Sequence, residues 1–535
     1  MRSLRDLRTW LPIATFISGF SLPLLVYYLT LAPDLTWAHG GGDGGDLIVA
    51  AYTLGVGHPP GYPAYTILAH LFTLLPWGSI AFRVNLLSAV GAAVAAGGVA
   101  LAVSALFERE HKWNVLLGAV AAAWELAFMP LLWNQAVIAE VYAVHAAFVA
   151  LTIWLALRLN NRPTTWSALT LGLVWGISFG FHLTSIFLLP IIIWGLSDRI
   201  EKTKTLRLWG ALSLGFGLAI LQWLYIPWRA GRGAVTWGNP TTLGGWWWLA
   251  SGSLYRGYVF AFPLDGWLPR LFYIARLLLT GLGPIAVLLG LVGWAFLARR
   301  RSGLALALGT TAIAYIVFAI GYNTTDSDNY IIPALIIFCI AIGCGAVCAV
   351  EDLRARWGQR ALAAGWAMIF MMSALGILLH WSSVSLKADQ EAMLFGEKVM
   401  QAAPADAVLL TNDDRATFTL WYFRYILRQR ADTVIMDKGL LAFDWYQAQL
   451  EITPAEAVLI VNRNKVSSLR PVCQVIVADP SLVIDCSQEH GLLVLPKLVG
   501  GENGRPYRHL ISAQSGGTPC RFPMTHNYFQ LFQGK

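Results

Sequence analysis

The chain has 535 residues, of which 57% are hydrophobic and 13% charged, with a formal net charge of +8 at pH 7. Average soluble proteins carry roughly 45–50% apolar and about 25% charged residues, so a purely soluble enzyme or binding module is excluded. The basic excess does not point to nucleic acid, because most Lys and Arg cluster in short loops between apolar stretches, where they set orientation in a membrane.

The first apolar stretch, 10–32, follows a basic N-terminus and is longer than a secretory signal core of about 7–15 residues. With no small-residue cleavage site behind it, it is predicted to be a retained span. Further stretches fall near 81–106, 114–132, 140–158, 166–181, 183–197, 208–228, 278–298, 303–321, 330–350 and 361–381. The reading is an α-helical polytopic membrane protein of about eleven transmembrane helices over 1–381, each long enough for a hydrocarbon core of about 30 Å. Every other loop is basic: Arg2/Arg5/Arg8, Arg109/Lys112, Arg158/Arg162, Arg199/Lys202/Lys204/Arg207, Arg299/Arg300/Arg301 and Arg354/Arg356/Arg360. These loops are expected in the cytoplasm. The N-terminus is then cytoplasmic, and the loops 33–80, 133–139, 229–277 and 322–329, together with the turn at His182, lie outside. No repeated pair of short or broken spans suggests a transporter.

From Ser382 the composition becomes that of a soluble domain, 382–535, expected on the extracytoplasmic side. Apolar runs at 407–410, 433–436, 458–461, 474–477 and 492–495 read as strands, and 417–427 and 445–450 as helices, which predicts a small α/β domain. Cys339, Cys344 and Cys348 share one span and read as packing. Cys473, Cys486 and Cys520 allow one disulfide, with Cys473 and Cys486 the favoured pair; no metal-ligand spacing is present.

The outer loop 33–80 holds the most informative residues. Gly41-Gly42-Asp43-Gly44-Gly45-Asp46 places two carboxylates in a flexible turn, and His58-Pro59-Pro60-Gly61-Tyr62-Pro63 follows as a rigid one. Leu47, Ile48, Ala51, Tyr52 and Leu54 recur at helical spacing, so a short helix lying in the membrane interface is expected, with Asp46 at its N-cap. Capping alone accounts for Asp46, whereas Asp43 has no such structural reason.

The block 41–48, its spacing to His58–Pro63, and Phe82-Arg83-Val84-Asn85-Leu86 resemble the DUF2723 family, which includes a eukaryotic protein O-mannosyltransferase acting on plexin-type receptors. Ala139-Glu140-Val141-Tyr142, Phe181-His182-Leu183-Thr184 and Trp237-Gly238-Asn239-Pro240 match that family in the same order, and the resemblance covers essentially the whole membrane part. It implies a GT-C fold, a polyprenyl- or dolichyl-phosphate sugar as donor, a protein or glycan hydroxyl as acceptor and inversion at the anomeric carbon. That lipid-phosphate sugar is a co-substrate; no cofactor is expected, and whether a metal assists stays open. The family's Asp-Ser-Gly-Glu is here Asp43-Gly44-Gly45-Asp46, one methylene shorter at the last carboxylate.

An acceptor hydroxyl needs a positioned base, a contribution of about 10²–10⁴-fold in rate, and Asp43 is the candidate, with Asp46 beside it. Arg83 and Arg229 are expected to hold the donor phosphate, with Arg232 and Arg256 as weaker candidates, since they stand on the side that is poor in cations. Snorkelling to lipid headgroups is the alternative. His58 is a further phosphate contact, and Glu140, Tyr142, His182, Asp326 and Tyr330 are expected to bind or orient substrate, with Asp328 nearby. Glu125, inside a span, shows no partner in the sequence. Trp246-Trp247-Trp248 reads as an interfacial aromatic belt and Asp413/Asp414 as an acidic turn. The competing functional class is a transporter or flippase of lipid-linked sugars. The setting is the cytoplasmic membrane of a prokaryote or the endoplasmic reticulum of a eukaryote.

Overall fold

The computed structural model describes residues 2–107, 112–197, 202–450, 472–478, 481–486 and 493–496. The expected strand at 458–461, Arg109, Arg199 and Cys520 lie outside these residues. The helices in chain order are α1 (Arg2–Thr30), α2 (Gly44–Thr53), α3 (Pro63–Thr73), α4 (Ile80–Leu106), α5 (Lys112–Ala127), α6 (Pro130–Ala136), α7 (Val141–Asn161), α8 (Thr165–Ser178) and α9 (Leu189–Leu196). They continue as α10 (Lys202–Ile220), α11 (Tyr225–Arg229), α12 (Leu243–Ala250), α13 (Trp267–Leu282), α14 (Pro284–Arg300), α15 (Ser302–Gly321), α16 (Ile332–Trp357) and α17 (Gln359–Val384).

The chain is a multi-pass membrane protein, but its spans differ from the expected eleven. Among the described residues seven helices are long and apolar enough to cross a bilayer, or up to nine if each bent pair is one span. The stretch at 114–132 breaks by 71° between α5 and α6, and that at 278–298 bends by 108° between α13 and α14. Proline explains both: Pro130 and Pro284 occupy the first turn of the second helix, where a missing N–H is tolerated but the preceding helix cannot continue. The stretches at 166–181 and 183–197 form helices of only 14 residues each.

Small residues set the centre of the bundle. In α4 the run from Ala89 to Ala102 is almost entirely Ala, Gly and Val, and a side chain on Gly91 would come within 2.9 Å of the Val144 Cα of α7. Backbones packed this closely gain dispersion contacts that lipid would not replace. Accordingly 83% of the α4 window is buried, against 22% for α17, which faces outward. Glu125 of α5 has a partner after all, accepting a hydrogen bond from Ser373 Oγ of α17 at 2.8 Å.

By contacts the chain falls into two compact units, one of Met1–Gly396 with Phe418–Arg430, the other of Glu397–Thr417 with the chain from Ala431 on. Helix α18 (Glu391–Ala402) leads out of the first. The second holds a sheet of β1 (Val408–Thr411), β2 (Val434–Asp437), β3 (Val472–Ala478), β4 (Ser481–Cys486) and β5 (Leu493–Pro496) in the order β2-β1-β3-β4-β5. β1 pairs in parallel with β2 and β3, while β4 and β5 add on antiparallel, with Cys473 opposite Cys486 in register. Helices α19 (Asp414–Trp421) and α20 (Asp444–Gln447) match the two helical expectations. Among the described residues the short apolar runs marked every strand except β4. Asp413 pairs with Arg415 at 3.1 Å, in keeping with an acidic turn.

Candidate active site

The loop after α1 bends through left-handed residues His39 and Gly40 (φ 56° and 83°) and feeds directly into α2. Asp43, not Asp46, is the residue before that helix, and its side chain makes no capping bond. Asp46 is its third residue and fully buried. The expectation of an N-cap at Asp46 is therefore overturned. So is that of an interfacial helix, because Gly44 to Ala51 are all buried and leave no lipid-facing side.

A buried carboxylate must be matched by donors, and Asp46 has three. Its Oδ2 accepts from the His58 backbone N–H at 2.9 Å and from His58 Nδ1 at 2.7 Å, and its Oδ1 accepts from the Trp237 indole N–H at 3.0 Å. A carboxylate only accepts, so the proton of this contact sits on Nδ1. His58 Nε2 then points toward Asp43, 3.8 Å from Oδ2. Asp43 keeps 46% of its side chain accessible, while His58 keeps 7%.

The electrostatics follow from this crowding. Protein bulk around Asp43 raises its carboxyl above the usual range, the His58 charge opposes that, and Asp326 and Asp46 add to it. Burial alone would strip the proton from His58, but Asp43, Asp46 and Glu140 more than compensate and push its pKa up to about 9. The site is thus a cluster of acidic side chains around one histidine whose charged form they favour. Among the described residues no group of three or more His, Cys, Asp or Glu side chains is arranged to hold a metal.

Beside the carboxylates stands an aromatic box. Tyr142 Oη donates to Asp326 Oδ2 at 2.7 Å. The rings of Tyr142, His182 and Tyr330 lie within 5.2–5.9 Å of one another, and Tyr322 packs edge-on to Tyr330 at 5.1 Å. His182 Nδ1 accepts from the Thr184 N–H, and burial lowers its pKa to about 4, so it is neutral with its proton on Nε2. Glu140 sits at the N-cap of α7, buried, its Oε2 accepting from the Val141 N–H at 3.3 Å. The structure thus brings together Asp43, Asp46, His58, Glu140, Tyr142, His182, Asp326 and Tyr330. Tyr62 and Trp237 join them, the first against the His58 ring at 5.2 Å and the second through Asp46.

The arginines are placed differently. Arg83 donates to the carbonyls of Thr73, Trp77 and Gly78, and Arg229 to those of Thr53 and Leu54 while lying over Trp228. Arg256 donates to Ser251 Oγ. Part of the Arg83 and Arg229 guanidinium groups thus braces backbone. Arg270, not singled out in the sequence, grips the carbonyls of Ile320 and Tyr322 at the root of the Asp326 loop. In the Trp triplet, Trp247 is exposed as a belt residue would be, whereas Trp246 donates to the Trp223 carbonyl and Trp248 packs over Gly238.

The segment Phe418–Arg430 forms one wall. The Phe418 carbonyl lies where a side chain on Gly45 would go, Trp237 packs against Phe418 and Trp421 at 6.2 and 6.5 Å, and Tyr422 Oη donates to Asp34 Oδ1 at 2.8 Å. Trp37 donates to Thr419 Oγ1, closing the same wall.

The chain is similar in sequence and fold to known proteins. Residues 43–205 match the model of the protein O-mannosyl-transferase TMEM260 N-terminal domain, and residues 392–463 that of TMEM260-associated domain 2. Protein O-mannosyl-transferase TMEM260 of Mus musculus is 28% identical over 462 residues, 80% of this chain and 63% of the relative. The Dictyostelium discoideum protein of that name is 29% identical over 254 residues, 44% of this chain and 30% of the relative. The chain thus spans less than two thirds of the length of either relative. The crystal structure of ArnT from Cupriavidus metallidurans bound to undecaprenyl phosphate superposes with a TM-score of 0.50 at 13% identity, covering 85% of this chain and 92% of that one. The fold is of the GT-C kind.

Proposed function

We propose that this protein is a GT-C glycosyltransferase that moves a hexose, mannose or a close relative, from a polyprenyl- or dolichyl-phosphate carrier to a protein Ser/Thr or glycan hydroxyl on the extracytoplasmic face. The observation that carries the reading is the contrast between two neighbouring carboxylates. Asp46 is sealed in by three donors, while Asp43 remains accessible at the same cluster. Only an accessible carboxylate can reach the proton of an incoming hydroxyl. Asp43 is the general base: it takes that proton as the oxygen attacks the anomeric carbon, and the bond to the phosphate oxygen breaks on the opposite side with inversion. The phosphate leaves with the electron pair and needs cationic donors. Arg83 and Arg229 supply them through the guanidinium nitrogens that do not brace backbone, Nη2 and Nη1 respectively, with His58 as a further positive charge.

The box of Tyr142, His182, Tyr330 and Asp326 suits a sugar, whose apolar face stacks on rings while its hydroxyls meet Asp326 and the His182 N–H. Names of the relatives and the lipid phosphate bound by ArnT support the reaction class. The transporter reading draws on the two bent helix pairs, yet each pair contains one helix that has most of the length of a span by itself. Helix α5 rises about 24 Å before its break, and α14 alone is about 25 Å long, at 1.5 Å per residue. Mass spectrometry of lipid-linked sugars and protein glycans from cells with and without the protein tests the proposal. Loss of a protein-bound hexose with accumulation of its lipid-phosphate donor supports it; donor trapped on one leaflet with unchanged glycans supports transport instead.

A further inference from the structure

Resting on that reading, we propose that the Asp46–His58 pair is a built-in charge holder, and that His58 is a positioning residue which keeps the Asp43 carboxylate ionised and ready to accept a proton. The geometry leaves the imidazole no freedom. Its own backbone N–H and its Nδ1–H both end on one buried oxygen, Asp46 Oδ2, while the other oxygen is pinned by Trp237. Trp237 is in turn wedged against Phe418 and Trp421, and the His58 ring is flanked by Tyr62 and Trp237 at 5.2 and 6.2 Å. The remaining nitrogen, Nε2, has Asp43 Oδ2 at 3.8 Å.

Asp43 needs such a partner. The groups whose charges reach it are His58, Asp326, Asp46, Glu140 and the Tyr62 phenol, so every ionisable neighbour except His58 is an acid. Crowded carboxylates keep one another protonated, and a protonated Asp43 cannot act as a base. The guanidinium groups of Arg83 and Arg229 are turned to backbone carbonyls of 53–54 and 73–78. An opposite charge at 3.8 Å offsets the repulsion, and the direction of the His58 influence on Asp43 is to favour the ionised form. Asp46 acts at one remove, by holding the proton on Nδ1 and the charge on the ring.

The test is the His58→Gln variant of the full-length protein in nanodiscs, read in two ways. Carbodiimide reacts with protonated carboxyls, so peptide mass spectrometry of Asp43 modification against pH titrates that side chain without any substrate. The midpoint is expected to move up by about one unit or more, a tenfold change in ionised fraction on the acid side. In sugar transfer the acid limb of kcat/KM moves by the same amount, with the rate recovering at alkaline pH. Removing the pair together, in His58→Gln/Asp46→Asn, also removes the uncompensated Asp46 charge and gives a smaller shift than His58→Gln alone. An unshifted Asp43 titration in His58→Gln overturns the proposal, as does a uniform loss of kcat with an unchanged pH profile. Should His58→Gln fail to fold, ¹⁵N-histidine spectra of the wild-type protein decide: a charged ring at pH 7.5 is expected, and a neutral one refutes the charge holder. Shifted Asp43 labelling in a protein that transfers no sugar would leave the charge holder standing and reject the transferase.

Discussion

Replacing each carboxylate of the α2 turn by its amide separates chemistry from architecture. In Asp46→Asn one acceptor oxygen becomes an NH₂ group. If it faces His58, two N–H donors meet a third; if it flips, the Trp237 indole loses its acceptor instead. Either way a buried imidazolium loses its counter-charge, and breaking a buried pair by removing one partner costs about 3–5 kcal/mol. Asp43→Asn removes a carboxylate that is half accessible and makes one long contact, so it should destabilise less than Asp46→Asn. Its turnover should fall by about 10²–10⁴-fold with the loss of a general base. The assay is thermal unfolding of both variants in lipid nanodiscs beside sugar transfer at saturating donor. A stable, donor-binding and inactive Asp43→Asn with a destabilised Asp46→Asn is expected. Near wild-type transfer by Asp43→Asn, or a fully stable but dead Asp46→Asn, refutes the division of labour.

Three further outcomes follow from single contacts. Because the folded pKa of His58 stands at about 9 against an ordinary 6.5, its stabilisation is present below about pH 6.5 and lost as pH rises through 9. It amounts to about 3 kcal/mol in a unit-by-unit conversion, and unfolding temperatures measured from pH 6 to 10 should fall in the wild type and flatten in His58→Gln. Tyr142→Phe removes the hydroxyl bonded to Asp326 and should lower kcat/KM by about 1.5–3 kcal/mol worth of transition-state binding, read by steady-state transfer. Gly44→Ser should be tolerated, since a Cβ there meets the Ala139 carbonyl at 3.5 Å, whereas Gly45→Ala collides with the Phe418 backbone and should destabilise by about 1–3 kcal/mol in the same unfolding assay.

Much of the site was legible in the sequence, for a physical reason: acids and histidines beside apolar stretches are costly, so each marks a place where the structure compensates. Glu140 stood out on that ground, while Asp43, His58, His182 and Asp326 stood out as polar groups of the outer loops, and the fold brings them together. Asp46 was misread because Asp before an apolar helical run looks like a cap. Its three donors come from residues 12 and 191 positions away, which no local pattern reveals. The wall formed by Phe418–Arg430 was hidden for the same reason, since its apolar face reads as an ordinary helix between β1 and β2. Gly45 was the available signal, a glycine inside a helix where only a close backbone approach needs one. Four of the eleven expected stretches are not long straight helices among the described residues: Pro130 and Pro284 turn corners at two of them, and 166–181 and 183–197 form helices of 14 residues, features that hydropathy does not register.

Reconstitution with a defined donor tests the central claim most directly. The purified protein in nanodiscs is given polyprenyl-phosphate mannose labelled in the sugar, together with a Ser/Thr-containing acceptor polypeptide from its own host. The account expects label on a hydroxyl of the acceptor with the anomeric configuration inverted, free polyprenyl phosphate in equal amount, and neither product with Asp43→Asn. If the wild-type protein transfers no label from this or any other polyprenyl-phosphate hexose, or if Asp43→Asn transfers as well as wild type, the account is contradicted.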